Sequence, residues 1–167
     1  TLTPPLPNIL PPLDPDFRPA VLANRAFERS AAGVGVPLVI GLRREGGKMA
    51  RFETQVFPQA HPSAVANLPY IERLVKFLLW QKGGYQVFIG GAPEVGEYIR
   101  RCYAPGGRQA FDFDFMGRQV YEQPFTVVAC APEDVPPIHE AGKALGRHLE
   151  GCRIGFDLGA SDRKVSA

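Results

Sequence analysis

The sequence predicts an α/β fold, a mixed sheet with flanking helices, and three observations carry that prediction. The run "VPLVIGLRREGGKMARFETQVF" places branched and aromatic residues on both sides of Glu45-Gly46-Gly47, a turn whose glycines supply positive φ, and so reads as a hairpin. "PYIERLVKFLLWQKGG" sets Ile71, Leu74, Val75, Leu78 and Leu79 at the i, i+3, i+4, i+7, i+8 spacing of one helix face. "YQVFIGGAPEVGEYIRRCY" then reads as a short apolar strand, a glycine turn and a helix opened by Pro93. Strands and helices alternating in this way bury their apolar faces by stacking in layers.

Taken in order, the chain opens on a proline-rich arm, residues 1–19, whose seven prolines withhold backbone donors and disfavour helix before them. Leu2, Leu6, Ile9, Leu10 and Leu13 suit this arm to packing on a domain. Residues 20–150 form the expected α/β domain. A helix is expected from Arg18 to Ala32, stopped by Gly33 and Gly35, and is followed by the hairpin and by the helix that Pro69 opens and Gly83-Gly84 ends. The next helix, after Pro93, buries Val95, Tyr98, Ile99 and Cys102. "FDFDF", with phenylalanines at 111, 113 and 115 alternating with Asp112 and Asp114, has the period of two of a half-exposed strand that turns back near Gly117. "FTVVACA" reads as a buried strand. "PPIHEAGKALGRHLEG" reads as a helix with Ile138, Ala141, Leu145 and Leu149 on one side, and residues 151–167 as a strand that breaks at Gly159 and a second strand from "RKVSA".

Composition narrows the function. The 167 residues carry a net charge of +2, with 19 basic residues scattered among 17 acidic ones, so no basic stripe points to nucleic acid. No apolar run has the length of a membrane span, and the front of the chain lacks the charge pattern of a signal peptide. Cys102, Cys130 and Cys152 form no metal-ligand spacing, which fits a reduced, cytoplasmic setting. His61, His139 and His148 share no ligand spacing either and read as surface or capping residues. Asp112 and Asp114 fall on one face of the expected strand, a solvated one. Trp80 with Phe77 is expected to pack in a core or an interface. Gly90-Gly91 before a helix offers free amides to an anion, but Glu94 in the first turn repels phosphate, so a tight structural turn is the expectation.

"IGFDLGASDRK" carries the chemistry. An apolar strand delivers Asp157 to its end, Gly159 allows a close turn, and Ser161 and Lys164 stand where phosphate oxygens would lie. Asp157 suits a hydrated Mg²⁺, which favours carboxylate oxygen and keeps several waters. This Asp-x-Gly-x-Ser-x-x-Lys pattern resembles the first phosphate loop of the actin-like ATPase superfamily, and "DLGAS" resembles the loop of its ROK family (repressors, open reading frames and kinases). The place of Lys164 is closer to carbohydrate kinases of the FGGY type or to the activator ATPases of acyl-CoA dehydratases.

The resemblance covers about a dozen residues. It implies that residues 151–167 are the first strands of an actin-like, ribonuclease H-like nucleotide-binding fold, with ATP and Mg²⁺ as cofactors and Gly159, Ser161 and Lys164 on the phosphates. It also implies an N-terminal portion of a longer ATP-dependent sugar kinase, incomplete alone because a second phosphate loop, an adenosine segment and a base for the sugar hydroxyl come later in that superfamily. The partners expected are a nucleotide and a sugar, with no nucleic acid and no membrane; a homo-oligomer stays open. Two other readings stand beside it: a non-enzymatic α/β regulatory or interaction module in which "DLGAS" is only a turn, and an ATP-dependent activator of another enzyme.

Overall fold

The computed structural model describes residues 5–140, 151–152, 154–159 and 162–166. It is an α/β fold with a mixed four-stranded sheet and flanking helices. Helix α1 spans Ala20–Ala31, strands β1 and β2 span Val36–Arg43 and Met49–Val56, and α2 spans Asn67–Lys82. Strand β3, Gln86–Gly90, leads into α3, Pro93–Cys102; a short α4, Ala110–Asp114, continues as a π-helical turn, Phe115–Tyr121, before β4, Thr126–Cys130. A separate two-stranded unit joins β5, Gly155–Leu158, to β6, Arg163–Ser166.

The sheet order is β2-β1-β3-β4, with β1 antiparallel to both β2 and β3 and β3 parallel to β4. The β1–β2 hairpin closes through Glu45-Gly46-Gly47, where both glycines take positive φ, 68° and 73°. Parallel pairing of β3 with β4 needs a long crossover, which α3, α4 and the π-helical turn provide.

Alternation along β1 assigns its two faces. Leu38, Ile40 and Leu42 point into the main core, where they meet Tyr70, Ile71, Val75 and Leu79 of α2 and Val95 and Ile99 of α3. Each such side chain contributes about 1.5–3 kcal/mol of apolar transfer. Phe27 of α1 closes this core by stacking on Tyr70, ring centroids 3.9 Å apart, and meeting Phe57 edge-on. Buried Asn67 fastens α2 to the end of β2: its Nδ2 donates to the Phe57 carbonyl at 2.8 Å, and its Oδ1 accepts from the Phe57 amide at 3.0 Å.

The opposite face carries a smaller cluster of Val39, Met49, Phe88 and Val135. The chain reaches it by leaving β4 at one edge of the sheet and crossing behind to the other edge. There His139 and Met49 exchange both backbone hydrogen bonds, at 2.8 and 2.9 Å, and Arg51 Nη1 donates to the Val135 carbonyl. Residues 136–138 are therefore irregular and His139 is bridged to β2, where a helix was expected. The strand edge of β2 supplies backbone partners that three nearby prolines, Pro132, Pro136 and Pro137, make hard to find within a helix. The rest of that expected helix, Ala141, Leu145 and Leu149 included, lies outside the described residues, as does His148.

Two further expectations are corrected. "FDFDF" is helical, and its aromatic pairing shows why: Phe111 and Phe115, four residues apart, stack on each other and on Trp80 of α2 with interplanar angles of 2–10°. In the arm, no regular element forms over residues 5–19, and Ile9 and Leu13 are 87% and 99% exposed where packing on the domain was expected. Leu2 lies outside the described residues. Among the described residues no helix is long and apolar enough to cross a membrane.

Candidate functional site

Strands β5 and β6 form an antiparallel hairpin in the register Gly155↔Ser166, Phe156↔Val165, Asp157↔Lys164 and Leu158↔Arg163. Asp157 and Lys164 are thus direct cross-strand neighbours on one face, shared with Gly155 and Ser166. Ile154, Phe156, Leu158 and Val165 occupy the other face and are all exposed. The hairpin is two-sided: acid, base and hydroxyl on one side, and on the other branched and aromatic groups with Arg163 at the register position opposite Leu158. A shallow groove runs along it, lined by Gly155, Phe156, Asp157, Lys164, Val165 and Ser166.

Lys164 Nζ lies 3.3 Å from Asp162 Oδ2, so its charge turns toward the loop end of the hairpin. Both partners are exposed, and such pairs contribute about 0–1 kcal/mol, little enough for an incoming anion to displace. Asp157 has no ion-pair partner among the described residues. Its exposed carboxylate suits a hydrated Mg²⁺, which one or two carboxylates together with substrate phosphates commonly hold. No cluster of three or more acidic, His or Cys side chains occurs among the described residues, so a dehydrated, all-protein cage is not what Asp157 offers. At Gly159 a Cβ would sit 2.7 Å from Asp162 Oδ1 and 3.2 Å from the Asp162 carbonyl oxygen, which accounts for glycine in so close a turn. Ser161 lies outside the described residues.

The turn at Gly90-Gly91 is packed by protein. Pro132 presses on it, and a Cβ at Gly91, where φ is +118°, would stand 2.6 Å from the Pro37 carbonyl oxygen. Glu94 falls in the first turn of α3, as the structural reading required. Cys102 is buried and burial pushes its thiol pKa up; the same cause raises that of half-buried Cys130, so neither is an activated nucleophile. Cys152 is exposed. His61 stacks on Phe57, and its Nδ1 accepts from the Ser63 amide at 3.1 Å. His139 Nδ1 lies 3.2 Å from the Gly47 carbonyl oxygen.

A polar network between α2, α3 and α4 is the feature that sequence reasoning missed. Asp112, expected on a solvated face, is 1% exposed: Lys76 Nζ donates to its Oδ2 at 2.7 Å and Trp80 Nε1 to its Oδ1 at 3.2 Å. Lys76 also donates to Gln109 Oε1, and Gln109 Nε2 to Glu72 Oε1 at 2.8 Å. Buried Glu72 receives the Tyr98 hydroxyl at 2.5 Å and has Arg108 at 3.4 Å. Burial, with the Glu72 carboxylate beside it, pushes the Tyr98 pKa above the ordinary phenol range. Each buried carboxylate has partners on both oxygens, the condition under which burying it is tolerable. The signal was the spacing of Glu72, Lys76 and Trp80, one flank of α2 that binary patterning reads as solvent-facing. Asp114 stays outside, held by Arg118 and Gln119, and these bonds keep its carboxyl down at about 2.

Fold and hairpin together define an α/β domain accompanied by a two-sided β-hairpin with an Asp–Lys pair. Comparison with protein-family models, curated proteins and solved structures finds no match.

Proposed function

We propose that the β5–β6 hairpin is the first phosphate-binding loop of an actin-like, ROK-type ATP-dependent sugar kinase. The observation that carries this reading is the register Asp157↔Lys164, which sets an acidic and a basic residue opposite each other on the polar face of a hairpin that turns at Gly159, the Lys164 ammonium reaching toward the turn. Mg²⁺, were it bound, would offset the negative charge of the phosphates. Asp157 would hold that ion, Gly159 allows the close turn, and Ser161 and Lys164 would donate to phosphate oxygens. The exposed apolar face supports the same reading, because a two-stranded hairpin is marginal alone and Phe156, Leu158 and Val165 suit the first strands of a larger sheet with a layer behind it. Phosphoryl transfer further needs a second phosphate loop, an adenosine-binding segment and a base for the sugar hydroxyl.

Calorimetric titration of MgATP into the chain, its Asp157→Asn variant and its Lys164→Ala variant tests the proposal. Binding by the parent chain, weakened about tenfold or more by either substitution, is the expected outcome. Equal heats from all three proteins would assign any binding elsewhere.

A further inference from the structure

Lys164 has two acidic neighbours in the hairpin, Asp157 opposite it in the register and Asp162 two residues before it in the chain. Asp162 is the one that holds it, with Oδ2 at 3.3 Å from the Lys164 Nζ. The same carboxylate reaches over the turn. Its Oδ1 stands 2.7 Å from the position that a Cβ on Gly159 would take, and the Asp162 carbonyl oxygen stands 3.2 Å from that position. Glycine thus leaves a hollow at the turn, and an anion of the chain itself fills it, one oxygen toward Gly159 and the other on the ammonium. That place, between Gly159 and Lys164, is the one that the phosphate-loop reading gives to a phosphate.

We infer that Asp162 is an autoinhibitory contact of the loop: its carboxylate takes the phosphate's place on Lys164 and turns away before a phosphate enters. The inference rests on the phosphate-loop reading and adds a regulation of that same site. Both side chains are exposed, so water and salt screen the pair and a competing anion can open it. Asp162 releases Lys164 by turning about its own side-chain bonds, with the β5–β6 register kept. Asp162 therefore acts on the ligand through Lys164, as a positioning residue. The two carboxylates of the hairpin then have opposite effects. Neutralising Asp157 weakens the binding of MgATP, and neutralising Asp162 tightens it. A general loss of negative charge would tighten binding at both positions, and a purely structural role for Asp162 would weaken it at both.

Calorimetric titration of MgATP tests the inference with the parent chain, Asp157→Asn, Lys164→Ala, Asp162→Asn, Asp162→Ala, and Asp162→Asn combined with Lys164→Ala. Both single Asp162 variants are expected to bind about threefold tighter than the parent, the size of one exposed ion pair. The alanine variant shows that the gain comes from the lost charge and not from a new amide donor. Asp162→Asn is expected to bring no gain when Lys164 is already Ala, because the seat it frees is gone. Binding no tighter than the parent's in the Asp162 variants, or a gain that persists without Lys164, overturns the autoinhibitory contact. Either result leaves the phosphate loop standing, since that reading is judged on Asp157→Asn and Lys164→Ala. An absence of heat from the parent and from both Asp162 variants overturns the phosphate loop and the contact together.

Discussion

At the scale of single residues, the buried polar groups separate into those with partners and those without, and the two kinds respond oppositely to substitution. Asp112, itself buried, accepts from Lys76 and Trp80, which are both half-exposed. Asp112→Ala removes both hydrogen bonds and is expected to cost about 1 kcal/mol in urea unfolding followed by Trp80 fluorescence. Tyr103 is equally buried, but its hydroxyl has no partner among the described residues, and burial raises its pKa beyond the usual phenol range. Tyr103→Phe removes an unmet donor at almost no change in shape, so the same measurement is expected to find the variant as stable as the parent or more so. Neither residue announced itself in the sequence. Asp112 sits in an alternation with Phe111 and Phe113 that mimics a strand, and its burial depends on Lys76 and Trp80, more than thirty residues away.

At the scale of elements, local chemistry was legible where it was self-contained. The β1–β2 turn needed only Gly46 and Gly47, α2 only its apolar spacing, and the β3-to-α3 turn only Gly90-Gly91 and Pro93; each formed as read. Elements decided by distant partners were not legible. Helix α4 is fixed by aromatic stacking on Trp80 and by its Asp112 bonds, and residues 136–139 by pairing with the free edge of β2. The two kinds of glycine turn differ in a measurable way. Gly91→Ala combines φ of +118° with a 2.6 Å approach to the Pro37 carbonyl oxygen, whereas Gly46→Ala meets open space at φ of +68°. Thermal or denaturant unfolding is expected to show a loss of about 3 kcal/mol for the first and about 1 kcal/mol for the second. The β5–β6 hairpin belongs with the legible elements: Asp157, Gly159 and Lys164 lie on two strands and a turn as the sequence indicated, while the Asp157–Lys164 register came only with the structure.

At the scale of the whole molecule, the mixed sheet and its layers followed from the order of elements, but the crossing of residues 131–139 behind the sheet did not, since no local pattern encodes which edge a prolyl segment will find. The core's aromatic hydroxyls make its stability depend on alkaline pH. Burial, with Glu28 nearby, pushes the Tyr70 pKa up to about 12, and Tyr98 and Tyr103 are also raised. A phenol whose folded pKa is raised stabilises the fold fully below the unfolded value of about 10, and that stability is lost as pH climbs toward the folded value. Denaturant titrations are therefore expected to show stability falling between pH 10 and about 12, and falling less steeply in Tyr70→Phe. The central claim is that the hairpin meets phosphate through Asp157 and Lys164. Its most direct test is calorimetric titration of MgATP into the parent chain beside Asp157→Asn. Saturable binding that the substitution weakens about tenfold or more supports the phosphate loop; no heat from the parent chain, or identical heat from both, contradicts it.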